Sequence, residues 1–365
     1  MTDLFSPLSF ERGPAWRNRF MLAPLTNTQS HPDGVLSEEE FDWLVHRADG
    51  GFGMVMTCAA HVQRIGQGFP GQLGVFSDDH LPGLTRLADA IRARGAVSSV
   101  QLHHAGLRSP QALIGQAPVG PSDDPATGTV ALSEEGVEAL IEDFVVAAVR
   151  SEKAGFDGVE LHGAHSYILC AFLSPETNRR KDRWGGSPKN RARIVWEIIR
   201  GVRARTRPDF QLGLRLSPER FGLVFEEMLT LASDLMVSGE IDYLDMSLWS
   251  VFKPPVDPVF AHRRLIDWYA DLPRGETRLG VAGKLMSGDD VRAVVATGVD
   301  FPIIGRAAIL AHDFPRRIEM DPAYESPPLP VSSAQLLEQR LSPRFLEYMR
   351  TSFKGFVIDE AMAEA

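Results

Sequence analysis

The chain has 365 residues, 44% of them hydrophobic, and a formal net charge of −10. That length holds one large barrel or two ordinary domains, and the acidic balance argues against a nucleic-acid partner, which wants a basic surface. Two cysteines, Cys58 and Cys170, supply neither a disulfide framework nor the four thiolates of an iron–sulfur cluster. No apolar run reaches the length of a membrane span, and the opening MTDLFSPLSF has no basic stretch followed by an apolar one. No membrane association and a cytoplasmic location are the expectations.

In chain order, short apolar runs alternate with longer amphipathic ones. Strands are expected at residues 19–23, 53–57, 97–102, 158–162, 211–216, 243–247, 278–282 and 301–304. Between the second and third, Pro82 opens a helical pattern carrying Leu84, Leu87, Ala88 and Ile91, a position where proline is tolerated. After the third, Val137, Leu140, Ile141, Phe144, Val145, Ala148 and Val149 form a stripe of 3.6-residue period, and Ile194, Val195, Ile198, Ile199 and Val202 repeat it after the fourth.

Eight strands alternating with helices imply a parallel sheet closed into a (β/α)8 barrel of the α/β class. An open dinucleotide-binding sheet would place a glycine-rich turn after its first strand, and Ala23-Pro24-Leu25-Thr26 cannot form one. A single domain is expected over residues 1–365, with the barrel core at about 18–312 and a helical tail at about 313–365 that carries a helix at 334–349. The Pro- and Gly-rich stretch 107–134 is expected to be a lid or rim loop. It and the connection 163–190 leave strands three and four on the face where barrel active sites are built.

Period-two alternation places Gln101, His162 and Arg215 at the C-terminal ends of strands three, four and five, aimed at one mouth. The run His162-Gly163-Ala164-His165-Ser166-Tyr167 sets two imidazoles three residues apart with a phenol close behind. Histidine pairs also bind zinc, but this segment leaves a strand and contains no carboxylate. It suits an oxyanion-binding pair with a neighbouring acid better, and no metal is expected. Glu160 lies one alternation below His162. An inward carboxylate is costly unless paired, so a buried Glu160–Arg215 contact that orients the guanidinium is expected.

The same residues carry a resemblance. His162 to Tyr167, then Phe172-Leu173-Ser174-Pro175, Asn178, Asp182, Gly185-Gly186-Ser187-Pro188 and Asn190-Arg191 resemble the signature of the old yellow enzyme family. Asn18-Arg19 with Ala23-Pro24-Leu25-Thr26 resembles its first strand, and Gln101-Leu102-His103-His104-Ala105-Gly106 its third. Gly283-Lys284 and Ile304-Gly305-Arg306 resemble its phosphate-binding end. The resemblance implies an FMN-dependent ene-reductase, an oxidoreductase that takes hydride from NADPH or NADH and reduces a small activated alkene such as an enone, maleimide, quinone or nitroalkene.

Carried over by position, Ala23, Pro24, Leu25 and Thr26 would line the isoalloxazine, with Cys58 beside it mainly through its backbone. Gln101 would pair with the pyrimidine edge, and Arg215 would sit on the N1/O2 side. Gly283, Lys284, Gly305 and Arg306 would hold the phosphate. His162 and His165 would bind the substrate carbonyl oxygen, and Tyr167 would protonate Cα. Thr26 and Thr28 stand where one branch of the family carries cysteine and tyrosine. His103 has no assigned role, and the aromatic run 247–255 either roofs the site or packs under a loop. Self-association, the NADPH or NADH preference and the natural substrate stay open. Rival readings are a flavin-dependent dehydrogenase running in reverse, a non-catalytic flavin-binding protein and a metal-dependent barrel hydrolase.

Overall fold

In the computed structural model, which describes residues 3–358, eight parallel strands close a barrel. They are β1 (Met21–Leu22), β2 (Met54–His61), β3 (Val97–His103), β4 (Gly158–Gly163), β5 (Gln211–Leu216), β6 (Tyr243–Ser247), β7 (Arg278–Ala282) and β8 (Phe301–Ile304). Each strand pairs with its sequence neighbours, and β1 closes against β8. The expected strands are all present. β1 is shorter than expected and β2 runs four residues longer, past a register shift between Met56 and Ala59 that bulges the strand near the mouth.

The helices that return the chain are α1 (Glu38–Asp49), α2 (Leu81–Arg92), α3 (Glu134–Lys153), α4 (Arg193–Arg205), α5 (Phe225–Val237), α6 (Leu265–Ala270), α7 (Gly288–Ala296) and α8 (Arg306–Leu310). The apolar stripes are their inner faces. Val137, Leu140, Phe144, Val145 and Ala148 of α3 are buried, as are Ile194, Val195, Ile198, Ile199 and Val202 of α4. No helix among the described residues is long and apolar enough to cross a membrane.

Beyond the barrel follow α9 (Phe314–Met320), α10 (Ser333–Glu338) and α11 (Pro343–Ser352). The single tail helix expected over 334–349 is therefore two. Arg340 adopts a left-handed φ of 65°, and Ser342 caps a new helix by accepting from the Phe345 amide, with Pro343 at its first position. Residues 359–365 of the expected tail lie outside the described residues. The stretch 107–134 forms short turns and a two-strand ribbon, Val119–Gly120 with Val130–Ala131.

The N-terminal end of the barrel is filled with aromatic rings. Trp16 packs edge-on against Phe301 at 4.8 Å and Tyr243 at 5.7 Å, and its indole N–H donates to Gln211 Oε1 at 3.2 Å. The strands make room for this plug with glycine. A Cβ at Gly213 would lie 2.1 Å from the Tyr243 ring, and one at Gly280 would lie 2.1 Å from Phe301. Gly213→Ala is therefore expected to destabilise the protein by about 1–3 kcal/mol through overpacking, read as a lower urea midpoint. An unchanged midpoint would mean that Tyr243 has space to swing away.

Candidate active site

The C-terminal mouth of the barrel holds a cavity of about 290 Å³, at the lower end of small-molecule sites. Gln101, His162, Arg215 and Ser247 reach it from β3, β4, β5 and β6, and Ala282 and Gly283 from the end of β7. Ala23, Pro24, Leu25 and Thr26 wall it after β1, and His165 and Tyr167 close over it after β4. The structure thus brings together the residues that the sequence placed at strands one, three, four and five.

The chain after β4 turns back through two consecutive left-handed residues, His165 (φ 62°) and Ser166 (φ 65°). Neither is glycine, so the turn is strained and must be held from outside. Ser217 Oγ accepts from the His165 amide at 3.1 Å, and Arg108 donates to the His165 carbonyl at 2.9 Å. The result stacks three rings at right angles: His162 and His165 centroids lie 5.1 Å apart, and His162 and Tyr167 also 5.1 Å.

The His162 Nδ1 accepts from the Ala164 amide at 3.3 Å, so in the neutral ring the proton sits on Nε2. Burial, then the nearby imidazoles and Arg215, hold the His162 pKa well below its usual range. Burial, then Arg215 and Arg108, bring His165 down to about 3. Both rings are neutral donors at pH 7. His165 Nε2 stands 2.7 Å from Ser247 Oγ, which Arg215 Nη2 approaches at 3.4 Å.

The expected Glu160–Arg215 contact does not form. Arg215 Nε lies 3.1 Å from Asp245 Oδ2, both side chains buried, and Glu160 Oε1 instead accepts from Gln101 Nε2 at 2.7 Å. Register is the reason. β4 and β5 set Glu160 opposite Gly213 and His162 opposite Arg215, whereas β5 and β6 set Arg215 opposite Asp245. Burial lifts the Asp245 pKa to about 6 against the pull of Arg215. Burial and then Asp245 push Glu160 well above the carboxylate range, making it the neutral acid of the pair. Sequence reasoning passed over Asp245, although period two from Tyr243 points it inward.

Cys58 does not face the cavity. The bulge in β2 puts Ala59 on the wall and turns the Cys58 thiol away from it, near the buried Glu40, whose charge helps burial raise the thiol pKa. Of the residues expected at the phosphate, Gly283 lines the cavity, while Lys284, Gly305 and Arg306 stand outside its wall. A Cβ at Gly283 would come within 2.9 Å of the Ser250 amide nitrogen, so glycine is required there. A Cβ at Gly305 would make ordinary van der Waals contact with Leu25 and Ala23, at 3.6 and 3.8 Å, two residues that line the cavity.

The sequence had not placed the C-terminal helix at the mouth. Tyr348 and Met349 of α11, and Phe353 just after it, line the cavity together with Ile309 and the half-exposed Trp249. Burial raises the Tyr348 pKa, and a hydrogen bond with Thr26 opposes the rise. The stretch 107–134 contributes nothing to this wall. Its Leu113 borders a separate groove of about 680 Å³ that shares Tyr348 with the cavity.

Residues 3–250 match the profile of the NADH:flavin oxidoreductase / NADH oxidase family. A probable NADH-dependent flavin oxidoreductase of Bacillus subtilis is 38% identical over 318 residues, covering 84% of this chain and 85% of that protein. An NADPH dehydrogenase of Listeria monocytogenes is 30% identical over 316 residues, covering 84% and 91%. Among solved structures, an old yellow enzyme homologue from Zymomonas mobilis superposes with a TM-score of 0.79 at 26% identity, over 95% of this chain and 99% of that one.

The lowered imidazole pKa values set a pH dependence of stability. His46 and His61 are brought to about 4, and His104 and His165 to about 3, from an ordinary 6.5. His103, His162 and His312 move the same way. As pH falls below 6.5 the unfolded chain binds protons that the folded one refuses, so folding weakens through that window. The raised acids Glu40, Glu160 and Asp245 act oppositely but are fewer. The thermal midpoint is expected to fall steadily from about pH 7 to about pH 4.5. A flat or rising midpoint would show that the buried acids outweigh the imidazoles or that these rings are charged in the folded protein.

Proposed function

Because the chain belongs to the old yellow enzyme (NADH:flavin oxidoreductase / NADH oxidase) family, an FMN-dependent class of NAD(P)H oxidoreductases, we propose that it reduces the activated carbon–carbon double bond of a small α,β-unsaturated carbonyl compound. The observation that carries this reading is the convergence of His162, His165 and Tyr167 on the cavity that also holds Gln101 and Arg215.

The donor set fits FMN. Gln101 offers a primary amide to the pyrimidine edge, and Arg215 a cation where the reduced ring gathers negative charge. Gly283 at the cavity wall and Gly305 against Ala23 and Leu25 present backbone without side chains at that end, which suits a phosphate-bearing ligand. Lys284 and Arg306 add charge at that end, and Ala23, Pro24, Leu25 and Thr26 present a wall for the ring. When bound, FMN supplies the redox chemistry, accepting hydride from NAD(P)H and donating it to the substrate Cβ.

The remaining steps belong to the chain. His162 donates from Nε2 to the substrate carbonyl oxygen, and His165 completes the pair. Both are neutral and preorganised, so they stabilise the enolate charge as it develops. Tyr167 delivers a proton to Cα; a phenol is neutral at pH 7 yet acidic enough for that transfer. Asp245, level with Arg215 on the next strand and 3.1 Å from its Nε, would keep the guanidinium beside the bound ring.

The test is anaerobic. Flavin absorption should bleach with NADPH and return on adding a cyclic enone. In Tyr167→Phe the return should slow by about 10²–10⁴-fold, selectively relative to bleaching. Bleaching without return for an enone, a maleimide and a nitroalkene would leave a flavin oxidoreductase that does not reduce alkenes.

A further inference from the structure

His103 ends β3 on the same barrel-facing side as Gln101, two residues nearer the mouth. It is fully buried, and nothing in the reaction described above uses it. Its proton can be placed. The Gly68 amide donates to Gln72 Oε1 at 2.7 Å, which fixes the orientation of that amide. Gln72 Nε2 then donates to the Ala59 carbonyl at 2.8 Å and meets His103 Nδ1 at 3.0 Å. An amide nitrogen cannot accept, so Nδ1 is the acceptor, and a neutral imidazole must carry its hydrogen on Nε2. Burial first, and then the neighbouring imidazoles and Arg108, keep the ring neutral.

That Nε2–H has no hydrogen-bond partner in the structure. The ring it belongs to stands at 78° to the Tyr167 ring, with centroids 4.3 Å apart. This is the shortest of the contacts Tyr167 makes with His103, His162 and His165. An aromatic face is a weak acceptor for an N–H that has no better one. The guanidinium of Arg108 lies 4.8 Å from the same phenol ring. Gly68 lies beside the imidazole, where a Cβ would make ordinary contact with its Cε1 at 3.5 Å.

We propose that His103 is a positioning residue for Tyr167. Gln72 fixes its tautomer, its Nε2–H engages the phenol ring, and the ring is thereby held at the angle from which its hydroxyl reaches the substrate Cα. The proposal rests on the reading of Tyr167 as proton donor.

The test uses FMN-loaded protein and 2-methylcyclohexenone, whose reduction creates a stereocentre at the protonated carbon. Wild type should give one enantiomer in excess. His103→Phe keeps a ring against Tyr167 but removes both nitrogens. It should bleach normally with NADPH, recover with the enone about tenfold or more slowly, and lose enantiomeric excess as solvent supplies the proton from either face. Gln72→Met leaves the imidazole in place without its tautomer control, and should shift both readouts the same way if His103→Phe fails to hold FMN. Wild-type recovery and enantiomeric excess in whichever variant holds FMN would overturn the proposal. Tyr167→Phe, run alongside, separates the two ideas. If it too matches wild type, the proton-donor reading has failed; if it alone loses both, only the role of His103 has.

Discussion

A guanidinium inside a barrel must be answered by a carboxylate, and the site at this mouth is arranged around how Arg215 is answered. Asp245 sits level with it on the neighbouring strand, while Glu160 lies one layer lower and holds Gln101 instead. One cation between two buried acids cannot keep both ionised at little cost. The acid closer to Arg215 keeps its charge more readily, and the other becomes a neutral hydrogen-bonding group. That division gives Arg215 and Gln101 each a different acid on the neighbouring strand, and both still line the cavity.

The second constraint is backbone. Two left-handed residues in succession bring His165 and Tyr167 back over His162, and such a turn persists only because Ser217, Arg108 and the helix Ile168–Leu173 brace it. The neutral state of the imidazoles follows from the same enclosure. Rings pressed together away from water have no solvent to stabilise a charge, so they remain donors and do not become cations.

Much of this was legible in the sequence. Short apolar runs bounded by turns marked the strands, and period two aimed Gln101, His162 and Arg215 at one point. The partner of Arg215 was not legible, because Glu160 and Asp245 both face inward and only the stagger between strands decides which is in reach. The orientation of the Cys58 thiol was not legible for a related reason: the bulge between Met56 and Ala59 interrupts the alternation of β2. His103 was readable in principle, since it shares the face of Gln101. What it touches depends on a loop, 66–72, whose path no local pattern reveals. The tail was least legible. Its break at Arg340 is a left-handed residue without a glycine, and its docking on the mouth is a contact between distant parts of the chain.

That docking separates two properties of the enzyme along its sequence. The residues proposed to react lie within the 3–250 stretch that matches the family profile, whereas part of the wall around them comes from α11, at 343–352, and from Phe353 just after it. The proposed reacting groups and part of the cavity wall are therefore encoded apart. Substitutions at Tyr348, Met349 and Phe353 would reshape that wall while leaving the imidazoles and phenol beneath as they are.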